Sequence, residues 1–343
     1  MSPVRPISPI KVVVIVGPTS SGKSELAVKL AKKFNGEIIS ADSRQIYKGM
    51  NIGTGKVPGR WHTTHMRGRA FKQYFYKDIR HHLIDFVNPK TQYSAALFQR
   101  DAGKIIVDIS KRGKLPILCG GTGHWIDIVV YDRQIPDIKP NPTLRKKLEK
   151  LSTVRLFERI RERDPERART IDKHNKRRLT RALEIILTTG KPVPPNSVIP
   201  SDPPAGGESR DPLYNAHWIG LKIPQKPLYQ KIDLRLKHRL KAGMVNEVKQ
   251  LRKQGLSWRR LEQFGLEYRY ISQYLLASPH PLPTDGERVR EGWNEMIQKL
   301  SYAIKHYAKR QLTWWKRNKE INWIKPHTKI ASRVVSKFLN HAS

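Results

Sequence analysis

The sequence predicts an α/β fold in which a parallel sheet flanked by helices is interrupted by an inserted helical domain. Three observations predict it. Residues 11–16 and 115–119 are short apolar runs without polar alternation, the pattern of strands buried on both faces. These runs alternate with helical spacing, as in 25–34, where Leu26, Leu30 and Phe34 recur beside Ala27 and Ala31. From 136 to about 190 the strand signal fades, and two proline-marked turns lead into helical patterning.

Taken in order, 1–135 forms the first part of the core. Its second strand, 37–41, ends at Asp42; a helix begins near Ser94 and closes over 104–111; the third strand, 115–119, runs into Gly120, Gly121 and Gly123. The insertion spans 136–195, and between Arg145 and Arg181 it carries 15 Lys/Arg against 6 Asp/Glu. A solvated helix face would balance its signs better, so this lobe is expected to bind RNA. Residues 196–212, within a stretch rich in Pro, Gly and Ser, read as a linker. The core resumes over 213–343 with a strand at 214–223, one long amphipathic helix at 228–254, and basic C-terminal helices. Over 299–319 there are seven Lys/Arg and no Asp/Glu, interleaved with Tyr302, Tyr307, Trp314 and Trp315. Tryptophans at helical spacing are expected in the core, with some of the cations on RNA.

The chain has 343 residues and is 38% hydrophobic, enough to bury a core. Its formal charge of +37 points to a polyanionic partner, nucleic acid first. The single cysteine, Cys119, excludes an internal disulfide framework and a cysteine metal site. The apolar run 12–16 is far too short to span a bilayer. A cytoplasmic monomer without membrane association is the expectation.

The chemistry begins at Gly17-Pro18-Thr19-Ser20-Ser21-Gly22-Lys23-Ser24, which matches G-x-x-x-x-G-K-[ST] between a strand and a helix. Glycines let backbone N–H groups surround an anion at the helix N-terminus, Lys23 adds charge, and the Ser24 hydroxyl suits Mg²⁺. A diphosphate or triphosphate therefore belongs in a P-loop NTPase-like core. The loop does not name the reaction, and Asp42 is the carboxylate that stands at a strand end within reach of it. The adjacent His81 and His82 point to opposite sides of an extended segment, so they are assigned to structure.

The loop, then Ile38-Ile39-Ser40-Ala41-Asp42-Ser43-Arg44-Gln45-Ile46-Tyr47, Asn51-Ile52-Gly53-Thr54-Gly55-Lys56, His81-His82-Leu83-Ile84-Asp85 and Gly120-Gly121-Thr122-Gly123 together resemble the tRNA dimethylallyltransferase family. Arg177-Arg178-Leu179-Thr180-Arg181-Ala182-Leu183-Glu184, Thr189-Gly190-Lys191-Pro192 and Ala308-Lys309-Arg310-Gln311-Leu312-Thr313-Trp314 extend the resemblance over nearly the whole chain. It implies transfer of a dimethylallyl group from dimethylallyl diphosphate to the exocyclic N6 amine of the adenosine just 3′ of the tRNA anticodon. The phosphate loop then grips a leaving group, with Lys23 and Mg²⁺ at Ser24 stabilising its charge. By the same resemblance Asp42 is the base that takes the amine proton, and Thr122 helps to hold Asp42 and the target amine. Ser43, Arg44 and Gln45 contact the extruded adenosine and its neighbours, and Arg177, Arg178 and Arg181 contact the anticodon stem-loop.

The chain departs from the family pattern in three places. Gln225, with Lys222 and Lys226 nearby, stands where an arginine that could help hold the diphosphate is usual, which leaves that anion either held less tightly or met by other cations. Gly265-Leu266-Glu267-Tyr268 replaces a Gly-Tyr pair. Residues 57–80 form a longer basic and aromatic insertion that either touches RNA or covers the site. Two rivals share some of these features. A small-molecule kinase using ATP would employ Asp42 as substrate base but leaves the charge of +37 without a purpose. An RNA-binding protein with a regulatory nucleotide site explains the charge but not the carboxylate beside the loop.

Overall fold

The structure, a computed structural model, describes residues 8–66, 69–133, 135, 136, 138, 141–193, 213–277 and 287–340. An eight-stranded sheet of order β3-β4-β5-β2-β6-β1-β7-β8 organises them. Its strands are β1 (Ile10–Val16), β2 (Gly36–Ser40), β3 (Arg60–Met66), β4 (Arg69–Tyr76), β5 (Ile79–His82), β6 (Leu115–Cys119), β7 (Tyr214–Leu221) and β8 (Asn322–Ile324). β1 runs parallel between β6 and β7, and Val12 through Val16 are all buried, which explains a strand with no polar face. β2 lies parallel between β6 and β5. β3–β4 and β4–β5 pair antiparallel.

Helix α1 (Lys23–Lys33) packs Leu26, Leu30 and Ala31 against Val13, Ile15 and Ile117, and Val335 of the C-terminal helix joins the same cluster. The chain goes from β1 to β2 and returns to lay β6 between them. Their carboxyl ends therefore lie side by side, at the edge where open α/β sheets usually bind ligands. Three backbone hydrogen bonds tie those ends together: Ala41 N to Cys119 O (2.9 Å), Gly120 N to Ile15 O (3.3 Å) and Thr122 N to Ala41 O (3.1 Å).

The described residues divide into two compact units, the second comprising 94–101 and 124–213. It starts before the expected boundary at 136. After α2 (Ala95–Lys111), the short α3 (Gly123–Val130) buries Trp125, Ile126, Asp127, Ile128, Val129 and Val130, and Trp125 stacks on Phe98 at 4.3 Å. An apolar helix of this kind has to be enclosed, so it groups with the insertion. There α4 (Pro142–Glu149), α5 (Thr153–Arg163), α6 (Pro165–Thr170) and α7 (Lys176–Thr189) are N-capped by Asn141, Ser152, Asp164 and Asn175. They enclose Leu148, Leu156, Ile160, Leu179 and Leu183.

The expected single helix over 228–254 is two, α8 (Gln225–Lys241) and α9 (Met244–Lys253), broken where Gly243 adopts φ +96°. The short α10 (Trp258–Glu262) and α11 (Leu266–Ala277) follow, then α12 (Glu287–Trp315) and α13 (Thr328–Asn340). Trp315 is buried 6.2 Å from Trp218, in the core as expected. The sequence reading missed β8, which extends the sheet past β7, and the β3–β4 hairpin within 57–80. The linker at 196–212 lies outside the described residues. Among the described residues no helix is long and apolar enough to cross a membrane.

Candidate active site

Gly17 and Gly22, at φ +145° and +89°, bend the loop after β1 in ways a side chain would strain. Gly22 is also the N-cap of α1, so no side chain caps the helix and its first-turn N–H groups remain for an anion. Within the loop, Ser21 is 2% exposed and its hydroxyl has no hydrogen-bond partner among the described residues. A buried donor left unpaired in a loop of amides marks a place prepared for oxyanions. Lys23 Nζ donates to Pro18 O (2.7 Å). Burial pushes Lys23 down to about 8, and Arg235 pushes in the same direction.

Arg235 and Arg239, one turn apart on α8, answer the departure at Gln225. Arg235 donates to the hydroxyls of Thr19 (3.3 Å) and Ser20 (3.4 Å). Arg239 donates to Gly53 O (3.2 Å) and Glu267 (2.8 Å). Both guanidiniums lie over Gly55, where an added Cβ would fall 1.9 Å from Arg235 Nη2 and 1.7 Å from Arg239 Nη2. Burial, followed by the charge of Arg239, lowers Arg235 to about 10. Desolvated cations that destabilise one another are what a diphosphate would relieve.

Asp42 emerges from the end of β2 with Oδ1 accepting from Arg44 N (2.9 Å) and, more weakly, Gln45 N (3.4 Å). Its charge acts on Lys23, Arg235, Arg44 and Tyr307, so the carboxylate shares an electrostatic neighbourhood with the cations of the phosphate loop. Tyr307 is 37% exposed, yet desolvation of its hydroxyl, and after it the Asp42 charge, raise the phenol. Thr122 Oγ1 accepts from Ser43 N (3.0 Å), pinning the residue next to Asp42. Gly120 makes that approach possible, since a Cβ there would fall 2.1 Å from Ala41 O. Gln311 of α12 spans both loops, accepting from Thr19 N (2.8 Å) and donating to Gly121 O (2.9 Å). Burial pushes the Cys119 thiol up to about 12, so it stays protonated beside the site.

Gln45 is turned toward the 51–56 segment, donating to Thr54 O and Gly55 O, while Arg44 is exposed. That segment is itself clamped. Glu247 accepts from Asn51 N, Ile52 N, Gly53 N and the Tyr268 hydroxyl. Buried Lys56 joins Asp85 to Tyr47 O and Asn51. His81 and His82 serve the sheet: His81 bonds Ile79 O and His82 bonds the buried Glu37.

In the insertion, Arg177 is exposed, Arg178 is half-buried 3.9 Å from Asp172, and Arg181 turns inward. Arg181 donates to the buried Glu184 (2.6 Å) and to Ile138 O (3.0 Å), and Arg145 holds both oxygens of Glu184. Burial opposes the Glu184 charge, but these bonds hold its carboxyl below the usual range. The three arginines expected to face RNA thus have different surroundings, and the i+3 spacing of Arg181 and Glu184 is the sequence sign of it. Sequence reasoning also missed Arg235, Arg239 and the bridging role of Gln311, although the i,i+4 arginine pair on an amphipathic helix was visible.

Among the described residues no three His, Cys, Asp or Glu side chains gather as a metal cage. The Ser24 hydroxyl at the start of α1 is a donor of the kind Mg²⁺ uses when phosphate oxygens and water complete its shell. With the unpartnered Ser21 hydroxyl in the same loop, this set fits a cation that arrives with a diphosphate.

A family profile described as IPP transferase matches residues 45–318, and one described as isopentenyl transferase matches 10–67. A tRNA dimethylallyltransferase from Caldanaerobacter subterraneus subsp. tengcongensis is 39% identical, covering 92% of this chain and 91% of its own. Another, from Anoxybacillus flavithermus, is 37% identical over 91% and 89%. Among solved structures, the full-length tRNA isopentenylpyrophosphate transferase of Bacillus halodurans is 31% identical with TM-score 0.62, covering 96% of this chain and 95% of that one. A eukaryotic dimethylallyltransferase studied acting on tRNA is 25% identical with TM-score 0.74, covering 97% and 80%.

Proposed function

Since the chain belongs to the IPP transferase family, we infer that it transfers a dimethylallyl group from dimethylallyl diphosphate to the exocyclic N6 amine of the adenosine 3′-adjacent to the anticodon of tRNA. The relatives are prenyl-transferring enzymes and lend no support to an ATP-using kinase. The observation that carries the reading is one carboxylate, Asp42, set beside a phosphate loop whose cations Lys23 and Arg235 are desolvated.

The N6 lone pair forms a bond to C1 of the dimethylallyl group as the allylic C–O bond breaks, and that electron pair leaves with the diphosphate. The amine proton passes to Asp42. Because Oδ1 is engaged by the turn, Oδ2 is the atom that takes it. Thr122 holds Ser43, and through it the Asp42 backbone, against recoil. Lys23, Arg235 and the α1 N–H groups stabilise charge as it grows on the leaving group, an effect strengthened by their dry setting. Ser24 would hold a Mg²⁺ ion that arrives with the diphosphate, and the cation would further neutralise the leaving group. Arg44 at the rim is placed to meet the RNA, and exposed Arg177 in the insertion offers phosphate contact.

Purified protein incubated with Mg²⁺, dimethylallyl diphosphate and unmodified tRNA tests the reading. Digestion and mass spectrometry are expected to show a prenylated adenosine next to the anticodon. Prenylation at another nucleotide, or none, would overturn it.

A further inference from the structure

The β3–β4 hairpin has features that sheet closure does not require. From Ser43 through Lys77 the sequence contains eight Lys/Arg and no Asp or Glu. Its base is fixed: Trp61 Nε1 donates to Asp85 Oδ2 (2.9 Å), the Trp61 ring meets Tyr74 edge-on, and the Tyr74 hydroxyl bonds Val57 O. Beyond that anchor the ribbon is exposed on both faces. His62, Thr63, Thr64, His65 and Lys72 there are exposed and Phe71 is 46% exposed, while exposed Arg60 stands one residue before the anchor, on the base side. β3 forms the open edge of the sheet.

The register shows where the ribbon points. Tyr74 pairs with His81 and His81 with Ile38, while Trp61 pairs with Tyr74, so Trp61 and Ile38 stand level across the sheet. Two antiparallel pairings make β3 run in the same sense as β2. β2 ends two residues on, at Ser40, whereas β3 continues five, to Met66. At about 3.3 Å per residue the ribbon overhangs the end of β2 by about 10 Å, on the side where Asp42 emerges.

We propose that this hairpin is a tRNA-gripping arm, in which Arg60 and Lys72 neutralise backbone phosphates and Phe71 packs against a base or ribose of the substrate bound at Asp42. The proposal rests on the prenyl-transfer reading, which makes tRNA the polyanion presented at this end of the sheet. An exposed ribbon with positive charge, aromatic surface and no acidic residue is complementary to RNA. An open edge strand can also pair with a second copy of the chain, although its charges disfavour that, so a second copy is the competing occupant.

The test uses the full-length Arg60→Gln/Lys72→Gln double variant and, separately, Phe71→Ala; all three residues lie outside the Trp61–Tyr74 anchor, and thermal unfolding checks the fold. Expected are an unchanged kcat at saturating tRNA, an unchanged KM for dimethylallyl diphosphate, and a KM for tRNA raised about tenfold at 0.1 M salt by the double variant. Its dependence on log salt becomes shallower by about two, one for each lost phosphate contact. Phe71→Ala raises the KM for tRNA by about fivefold or more with the salt slope unchanged. If the wild type prenylates tRNA and both variants match it in KM and salt slope, the arm is refuted. Sedimentation showing a wild-type dimer that the double variant disrupts, with KM unchanged, refutes it in favour of edge pairing. Direct tRNA titration of the same proteins separates the two ideas: a wild type without transferase activity whose tRNA affinity still depends on the hairpin overturns the functional reading and keeps the arm.

Discussion

Replacing Gly120 by alanine isolates the strand-end packing that positions Asp42. The new Cβ would lie 2.1 Å from Ala41 O and 2.4 Å from its carbonyl carbon. Comfortable contact needs roughly 3.5 Å, and both neighbours are backbone, so no side-chain rotation relieves the clash. The ends of β2 and β6 must part by about 1 Å, which strains the bonds from Ala41 N to Cys119 O and from Thr122 N to Ala41 O. Overpacking of this kind costs about 1–3 kcal/mol of stability. The catalytic consequence is similar in free energy and direct to read, because a misplacement of about 1 Å between base and amine lowers the rate by about 100-fold. Gly113→Ala is the control: at φ +65° with open space around it, it carries backbone strain of about 1–2 kcal/mol and leaves the site in place. Steady-state prenyl transfer at saturating substrates, read beside thermal unfolding, is expected to show the loss in kcat for Gly120→Ala alone. A Gly120→Ala enzyme with kcat within a factor of about three of wild type would refute the reasoning.

Two further outcomes follow from the same geometry. Lys23, lowered to about 8 by burial, is a cation below that pH and neutral above it. In the free enzyme, kcat/KM for dimethylallyl diphosphate is therefore expected to fall above about pH 8, and Lys23→Arg, charged throughout, to abolish that limb; a limb that persists in the variant belongs to another group. Gln311→Leu strands Thr19 N–H and Gly121 C=O at about 1–3 kcal/mol each, so the unfolding temperature falls and the donor KM rises, whereas an unchanged donor KM would detach Gln311 from the phosphate loop.

What the sequence made legible was local in origin. β1, β6 and the phosphate loop are contiguous stretches whose apolar runs and fixed spacing carry their own signal. Asp42 was readable because it closes such a run. Arg235 and Gln311 were not, since they lie 216 and 292 residues from the Thr19 they bond and arrive only through packing of α8 and α12. The α8–α9 break escaped notice because amphipathic spacing continues through it and Gly243 alone marks the change. The boundary at 136 followed prolines, whereas the structure groups by burial and gathers the apolar α3 into the second unit. Arg181 shows the limit of a charge count, because a cation on an RNA-expected helix is committed to a buried glutamate.

The central claim is that Asp42 takes the proton from the amine and does no other essential work. Asp42→Asn preserves the size and the Oδ1 acceptor for Arg44 N while removing the base. Single-turnover prenyl transfer, with tRNA and donor bound beforehand and their affinities measured separately, is the most direct test. The account predicts both affinities near wild type and a transfer rate lower by about 100-fold or more. Transfer at close to the wild-type rate, or loss explained wholly by weaker binding, would contradict it.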